Sequence, residues 1–127
     1  MPIQVATIEL HTGDTPVLRF QIVRKRAGVV LGPVGKSDLS ALTLTHKNVA
    51  DNSIINGRSG QNVLNLNNVT VDEDGWVEWA MQSADNPIVS TVLKAGEYED
   101  HLSQFVATTK DGLKSTRYIR TRVMKDM

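Results

Sequence analysis

Apolar and polar residues alternate along most of the chain, which is the pattern of β-strands that bury one side and expose the other. The clearest case is the segment Val17–Val23, in which Leu18, Phe20 and Ile22 share one side. The same alternation returns over residues 41–46, and glycine, asparagine and aspartate separate such segments. Helical periodicity is weak throughout. The pattern therefore predicts an all-β fold of about seven to nine strands.

A tight hairpin is predicted over Val69–Met81, because Asp74-Gly75 lies between two alternating segments and glycine adopts positive φ without steric cost. Both tryptophans of the chain fall in its second strand, at Trp76 and Trp79. Their spacing places them on opposite faces of a regular strand. We expect Trp79 to be buried, and Trp76 to lie beside the turn or against a partner.

A second hairpin is predicted near the C-terminus, with strands over 98–109 and 113–124. A two-residue turn at Asp111-Gly112 would pair Phe105 with Tyr118 and His101 with Arg122. That register places four apolar residues in the core: Leu102, Val106, Ile119 and Val123.

The opposite face of this hairpin then carries aromatic and arginine side chains. Aromatic residues grouped at a surface are typical of protein interfaces. The candidate interface consists of Phe105, Tyr118, Arg120, Arg122 and Trp76. Residues 1–5 and 118–127 are further candidates, as extended arms that reach neighbouring molecules.

Composition limits the classes of function. A chain of 127 residues predicts a single domain over 1–127, and no cysteine is present to form disulfides or thiolate metal sites. Fourteen basic and fourteen acidic residues cancel, so no global field favours nucleic acid or an anionic membrane. The basic triplet Arg24-Lys25-Arg26 is interpreted as a solvated strand end, with nucleic-acid contact as the alternative.

Motifs that carry catalysis are missing from the sequence. There is no G-x-S-x-G elbow and no glycine-rich phosphate loop. His11, His46 and His101 show no metal-ligand spacing, and the acidic turn at 72–74 lacks the ligand positions of a calcium loop. We therefore expect no enzymatic activity, no metal and no cofactor.

Several turn-centred segments resemble small structural proteins of tailed bacteriophages. The first runs from Ile54 to Asp72 and continues through Asp74-Gly75 to Trp79; the second runs from Asp85-Asn86-Pro87 to Thr108. More loosely, Gly96-Glu97-Tyr98 and Asp111-Gly112 are similar to the immunoglobulin-like N-terminal domain of phage baseplate upper proteins. The resemblance implies an immunoglobulin-like antiparallel β-sandwich.

The resemblance also implies a non-enzymatic virion structural protein, made in the host cytoplasm and present in many copies. Its partners would be the major capsid protein or tail and neck proteins. Capsid decoration, as a cement protein, is the first expectation, because the chain carries no second module. A neck, tail or baseplate adaptor is one alternative. The other is a carbohydrate-binding module that stacks sugar on Trp76 or Trp79. The N-terminal ten residues lack the features of a signal peptide, and no apolar run is long enough to cross a membrane.

Overall fold

Ten β-strands and two single-turn 3-10 helices form the regular structure of residues 6–126, the part of the chain that the computed structural model describes. The strands are β1 (Ala6–His11), β2 (Val17–Gln21), β3 (Val23–Arg26), β4 (Val29–Pro33), β5 (Leu39–Asn48), β6 (Gln61–Asn62), β7 (Val69–Val71), β8 (Trp76–Ala80), β9 (Tyr98–Thr109) and β10 (Lys114–Met124). The helices cover Lys36–Asp38 and Ser83–Asp85, and neither has the length and apolarity to span a membrane.

The strands form two facing layers and a separate ribbon. The larger sheet has the order β1-β10-β9-β5-β6, and the smaller has the order β2-β8-β7. β3 and β4 pair only with each other among the described strands, as a two-stranded ribbon. All pairs are antiparallel except β1 with β10. The expected all-β sandwich is confirmed, with more strands than predicted because β3 and β4 form a hairpin of their own. An immunoglobulin-like strand arrangement stays a prediction.

An aromatic cluster joins the two layers. Phe20 of the smaller sheet and Phe105 of the larger sheet meet edge to face, with ring centroids 5.0 Å apart. Trp79 lies 5.6 Å from Phe105 and is fully buried, as predicted. Buried aromatic rings in this arrangement stabilise a core beyond the area that they bury.

The register of the β9–β10 hairpin differs from the prediction by one residue. Phe105 pairs with Arg117, and Tyr118 pairs with Gln104. The turn holds three residues rather than two, because the Thr109 N–H donates to the Leu113 carbonyl and Gly112 adopts φ 89°.

Successive side chains of a strand point to opposite faces. A shift of one residue therefore turns outward the β9 side chains that were predicted to face the core, and turns the others inward. Phe105 is in the core, whereas Leu102 and Val106 lie half-buried on the outer face. Ile119 and Val123 are buried as predicted.

The predicted arm over 118–127 is wrong for residues 118–124. These residues complete β10, which pairs with β9 along its length and with β1 from Ile119 to Met124. Two-sided pairing satisfies the backbone there, so this segment cannot reach a neighbour. The arm predicted over residues 1–5 lies outside the described residues.

Different segments of the chain form the two ends of the sandwich. At the hairpin end lie the base of the β3–β4 ribbon and the turn at 72–75, joined by a hydrogen bond from the Ile22 N–H to the Gly75 carbonyl. At the opposite end, called the loop end below, residues 12–14 and 82–97 meet the last residues of β10. There the Gly13 N–H donates to the Asn86 carbonyl, and the Lys125 N–H donates to the Glu97 carbonyl.

Candidate interaction surfaces and a buried polar cluster

The five residues of the predicted interface do not share one surface. Phe105 is 1% exposed, so its assignment to an interface is wrong, and the register shift described above is the reason. Tyr118, Arg120 and Arg122 are half-buried on the outer face of the larger sheet. Trp76 is half-buried on the smaller sheet, on the opposite side of the sandwich.

Contacts within the outer face of the larger sheet engage several of its polar groups. The Arg122 Nε donates to Asp100 Oδ1 over 3.2 Å, and its guanidinium lies 4.8 Å from the centre of the Tyr98 ring. The Gln104 Nε2 donates to the Tyr118 hydroxyl. These contacts occupy Arg122, Asp100, Gln104 and Tyr118, which lowers the gain from binding another protein through them. Arg120 Nε, on the same face, forms no hydrogen bond with described residues.

Neither tryptophan offers an open ring to a sugar. Trp79 is fully buried. The Arg19 guanidinium lies 4.1 Å from the centre of the Trp76 ring, and Arg19 also pairs with Glu78 at 3.3 Å. A stacking platform needs a free aromatic face, so the structure gives the carbohydrate alternative no support.

The two tryptophans can be told apart in solution. We expect the variant Trp76→Phe, which retains Trp79, to emit at short wavelength and to resist quenching by iodide, because Trp79 lies in the apolar core. Steady-state fluorescence of the native and variant proteins measures this. Red-shifted emission that iodide quenches would contradict the burial of Trp79.

The most exposed apolar group of the strands is on the β3–β4 ribbon, which stands apart from both sheets. Val29, Val30 and Leu31 follow one another on β4 and are 62%, 55% and 57% exposed. A two-stranded ribbon is only marginally stable by itself, and a run of exposed apolar residues favours association. The ribbon is therefore the strongest candidate interaction surface.

The tip of the ribbon is a two-residue turn, because Arg26 pairs with Val29. Both of its residues have positive φ, with Ala27 at 50° and Gly28 at 80°. This is the backbone of a type I′ turn, which matches the twist of the flanking strands. Alanine is unfavourable in this conformation because its Cβ approaches the following carbonyl oxygen.

We expect the substitution Ala27→Asn to stabilise the ribbon by about 0.5–1 kcal/mol, since asparagine tolerates positive φ. Because the ribbon pairs with neither sheet, its stability is measured locally, by amide hydrogen exchange of residues 23–33. Ala27→Val is the matched control, since a β-branched residue opposes this conformation and should speed exchange. Equal exchange in both variants would contradict the turn geometry.

The ribbon is cationic as well as apolar. Arg24, Lys25 and Arg26 are all exposed, as expected for a solvated strand end. Arg24 Nη1 lies 3.7 Å from Asp111 Oδ2, whereas Lys25 and Arg26 make no ion pair with a described residue. The sequence between Asp14 and Asp38 contains no acidic residue. A partner with carboxylates around an apolar depression would complement this surface.

A cavity of about 460 Å³ opens between the ribbon and the first half of β10. Phe20, Ile22 and Phe105 contribute apolar walls, and Lys25 and Arg117 lie on its rim. The Arg117 guanidinium is 5.5 Å from the centre of the Phe20 ring, so it covers the edge of the aromatic cluster. The long side chains therefore shield this side of the core.

The loop end contains a cluster of buried polar residues that the sequence analysis did not predict. At its centre, Arg58 Nε donates to Asp85 Oδ1 over 2.6 Å, and Arg58 Nη2 donates to Asp85 Oδ2 over 3.2 Å. Asn56 Nδ2 and the Gln82 N–H also donate to this carboxylate. Burial alone would raise the pKa of Asp85, but these hydrogen bonds outweigh it and lower the pKa.

A histidine connects Asp85 to the larger sheet. His46 Nε2 lies 2.7 Å from the Asp85 backbone carbonyl, so this nitrogen carries the proton and donates. His46 Nδ1 then accepts from the Ser103 hydroxyl at 2.9 Å. Burial lowers the pKa of His46 from 6.5 to about 4, because the charged imidazolium would lose its hydration.

The segment that follows the second helix is held by Glu99. Its carboxylate accepts from the N–H groups of Val89 and Ser90, at 2.9 Å and 3.0 Å, and lies 2.6 Å from His101 Nε2. Burial opposes ionisation of Glu99, but these hydrogen bonds lower its pKa. The buried polar cluster therefore fastens residues 82–90 to the inner face of the larger sheet.

One row of the inner face has polar atoms without a protein partner. Asn48, His101 and Thr121 are neighbours across β5, β9 and β10, and all three are buried. Asn48 Oδ1, His101 Nδ1 and Thr121 Oγ1 form no hydrogen bond with described residues. Such atoms lower stability because they have lost hydration.

We expect the isosteric substitution Thr121→Val to raise the free energy of unfolding by about 1 kcal/mol, because it removes an unpaired buried hydroxyl. Ser103→Ala is the matched control and should lower stability, since the Ser103 hydroxyl bonds to His46. Urea unfolding at neutral pH measures both. A loss of stability in Thr121→Val would show that its hydroxyl is partnered.

The distance between Ser103 and His46 is that of a catalytic nucleophile and its general base, but their surroundings are not those of an active site. Both residues are fully buried, and a backbone carbonyl rather than a carboxylate orients the imidazole. Neither the 460 Å³ cavity nor a second one at the loop end includes them. A nucleophile must reach its substrate, so this geometry supports a structural role. The absence of enzymatic activity stays a prediction.

The three histidines are arranged differently from one another. His46 and His101 pack edge to face with ring centroids 5.6 Å apart, whereas His11 is exposed at the end of β1. Within residues 6–126, no group of three or more histidine, aspartate or glutamate side chains is placed to hold a metal ion.

Comparison of the chain with protein-family models and with curated proteins gives no significant match.

Proposed function

We propose that the protein is a non-enzymatic structural protein of a tailed-bacteriophage virion, present in many copies and acting as a capsid decoration protein. The observation that carries this proposal is the β3–β4 ribbon, with Val29, Val30 and Leu31 more than half exposed outside the sandwich. Burial of three such side chains against another protein is favourable, at about 25 cal/mol per Å² of apolar surface removed from water.

The rest of the molecule suits a rigid support for this contact. The two sheets share a core that contains three fully or almost fully buried aromatic residues, Phe20, Trp79 and Phe105. The buried polar cluster fixes the loop end. The base of the ribbon is tied to this support, because the Ile22 N–H donates to the Gly75 carbonyl and the Val34 N–H donates to the Ile22 carbonyl. A ribbon held at its base loses less entropy on binding. The resemblance of the turn segments to phage structural proteins directs the proposal to a virion.

A neck, tail or baseplate adaptor would use the same ribbon, so the location in the particle needs its own test. Particles of the phage that encodes the chain are purified and separated into heads and tails, and peptides of the chain are quantified by mass spectrometry. We expect stoichiometric copies in the head fraction. Recovery with the tails alone would favour the adaptor, and absence from purified particles would overturn the virion proposal.

A substitution in the ribbon tests whether the ribbon makes the contact that holds the chain in the particle. Leu31→Asp adds a charge in the middle of the exposed apolar run. We expect particles grown with this variant to lose most copies of the chain. The isolated variant should keep the unfolding temperature of the native protein, because β4 lies outside the sandwich. Val17→Asp is the control, since Val17 is 60% exposed but lies on β2 of the smaller sheet.

A further inference from the structure

One long edge of the smaller sheet has no partner strand within residues 6–126. Residues 17–26 form β2 and then β3, and they pair first with β8 and then with β4. Both partners lie on the same side, because Ile22 donates its N–H to the Gly75 carbonyl and its own carbonyl accepts from the Val34 N–H. β2 is the outermost strand of its sheet. The other side of residues 17–26 will be called the open edge.

Backbone groups at the open edge can pair with an added strand. The N–H and C=O of one residue point to the same side of a strand, and those of its neighbours point to the opposite side. Because Ile22 bonds towards β8 and β4, its neighbours Gln21 and Val23 direct their backbone groups to the open edge. Unpaired edges of this kind are where extended segments of other chains add to a sheet.

The open edge borders the cavity of about 460 Å³ between the ribbon and β10. Residues 20–25 form one wall of this cavity, and residues 113–117 form the other. Phe105 and Ala107 of β9 lie between the two walls. An apolar side chain of an added strand would therefore meet an apolar surface.

The stacking of the two sheets shows which strand lies beneath the open edge. β2 lies over β9, where Phe20 contacts Phe105, and β8 lies over β5, where Trp79 contacts His46. In the larger sheet β10 follows β9 on the side away from β5. The next place in the smaller sheet, beyond β2, is therefore over β10.

The inner face of β10 is uncovered at this place. Ile119 is buried on that face, and Ser115 and Arg117 share it because alternate side chains of a strand point the same way. Both are nevertheless exposed, so none of the ten strands covers the first half of β10. A fourth strand of the smaller sheet would cover it.

Charge indicates what kind of segment this place accepts. Four basic residues and no acidic residue line the cavity: Arg24, Lys25, Lys114 and Arg117. Asp111 lies 3.7 Å from Arg24, whereas the other three form no ion pair with residues that the structure describes. Carboxylates are attracted to such a rim and ammonium groups are repelled.

We propose that residues 20–25 bind an extended segment of another protein, rich in acidic and apolar residues, by strand addition at the open edge. An apolar side chain of the segment enters the cavity, and a carboxylate pairs with Lys25 or Arg117. The exposed tip of the ribbon at 29–31 takes no part in this contact. The inference therefore goes beyond the proposed function and is tested separately.

Titration of the full-length protein with synthetic peptides, followed by NMR, tests the inference. The probe is the acetylated peptide Glu-Val-Glu-Val-Glu-Val, and Lys-Val-Lys-Val-Lys-Val is the matched control of opposite charge. We expect the acidic peptide to bind about tenfold more tightly, because several exposed ion pairs favour it. It should also slow hydrogen exchange of the Gln21 and Val23 amides.

Two pairs of variants separate the backbone contact from the charge contact. Val23→Pro removes an N–H of the open edge, so it should abolish binding, whereas Val23→Thr keeps the N–H and should bind. Arg117→Gln should weaken binding by up to about fivefold. Arg122→Gln is its control, since Arg122 lies on the outer face and outside the cavity. The Arg117 pair tests the inference even if Val23→Pro does not fold.

Three outcomes would overturn the inference: no binding of the acidic peptide, equal binding of the two peptides, or native affinity in a folded Val23→Pro variant. Binding of decanoate without binding of the peptide would also overturn it, by assigning the cavity to small amphipathic acids. Leu31→Asp should retain peptide binding, since Leu31 does not line the cavity. Loss of the chain from particles and loss of peptide binding are therefore separate results.

Discussion

The substitution Asp85→Ala is expected to lower the free energy of unfolding by about 3–5 kcal/mol, because it leaves the buried Arg58 guanidinium without its counter-ion. Both side chains are almost fully buried, at 3% and 0% exposed, so water cannot replace the carboxylate. The substitution also removes the acceptor for Asn56 and for the Gln82 N–H. Urea unfolding followed by fluorescence measures the loss.

An exposed ion pair on the smaller sheet is the matched control. Arg19 and Glu78 pair at 3.3 Å with side chains 53% and 50% exposed. We expect Glu78→Ala to cost less than about 1 kcal/mol, because solvent screens this pair. A comparable loss in both variants would show that burial does not decide the strength of the Arg58–Asp85 pair.

A double variant keeps the prediction testable if Asp85→Ala does not fold. Adding Arg58→Met removes the unpaired buried cation, so the double variant should be more stable than Asp85→Ala alone. Losses that simply add would show that the two charges do not interact, contrary to the distance of 2.6 Å between Arg58 Nε and Asp85 Oδ1.

Acidification is expected to destabilise the protein from mildly acidic pH, and His46 is the main reason. Burial lowers the pKa of His46 to about 4, while an unfolded histidine titrates near 6.5. At pH values between these two, His46 binds a proton in the unfolded chain but not in the folded chain. The free energy of unfolding therefore falls as pH falls. The loss reaches about 3 kcal/mol near pH 4 and then levels off, since each pKa unit is worth about 1.36 kcal/mol.

The carboxylates of the buried polar cluster act in the same direction at lower pH. The pKa values of Asp85 and Glu99 are lowered in the fold, so their contribution is complete above the unfolded pKa values and is lost as pH falls through the folded ones. Two phases are therefore expected in a plot of unfolding free energy against pH, the first from His46 and the second from the two acids.

Substitution of the histidine isolates the first phase. In His46→Gln the slope between about pH 6.5 and pH 4.5 should become shallower, because the titrating group is gone. His11→Gln is the matched control for loss of an imidazole, since His11 is exposed outside the buried polar cluster. A native slope in His46→Gln would assign the acid sensitivity to another group.

The sequence by itself determined the class of fold and most of the strands. Alternation of apolar and polar residues located β2, β5, β7, β8, β9 and β10, because one buried face imposes a period of two. It also identified Trp79 as the buried tryptophan, since Trp76 directly follows the turn. The same parity, continued along β5 from Leu42 and Leu44, leads to His46, although the burial of this histidine was not among the predictions.

The tertiary structure alone decided which polar residues meet. The turn after β9 has three residues rather than two, and that one-residue difference moved Phe105 from the predicted interface into the core. Arg58 and Asp85 lie 27 positions apart in the chain, on segments without alternation, so no local pattern pairs them. The exposure of Val29 to Leu31 likewise depends on the ribbon standing apart from both sheets. Local periodicity specifies the face of a strand, whereas turn length and long-range packing specify what that face contacts.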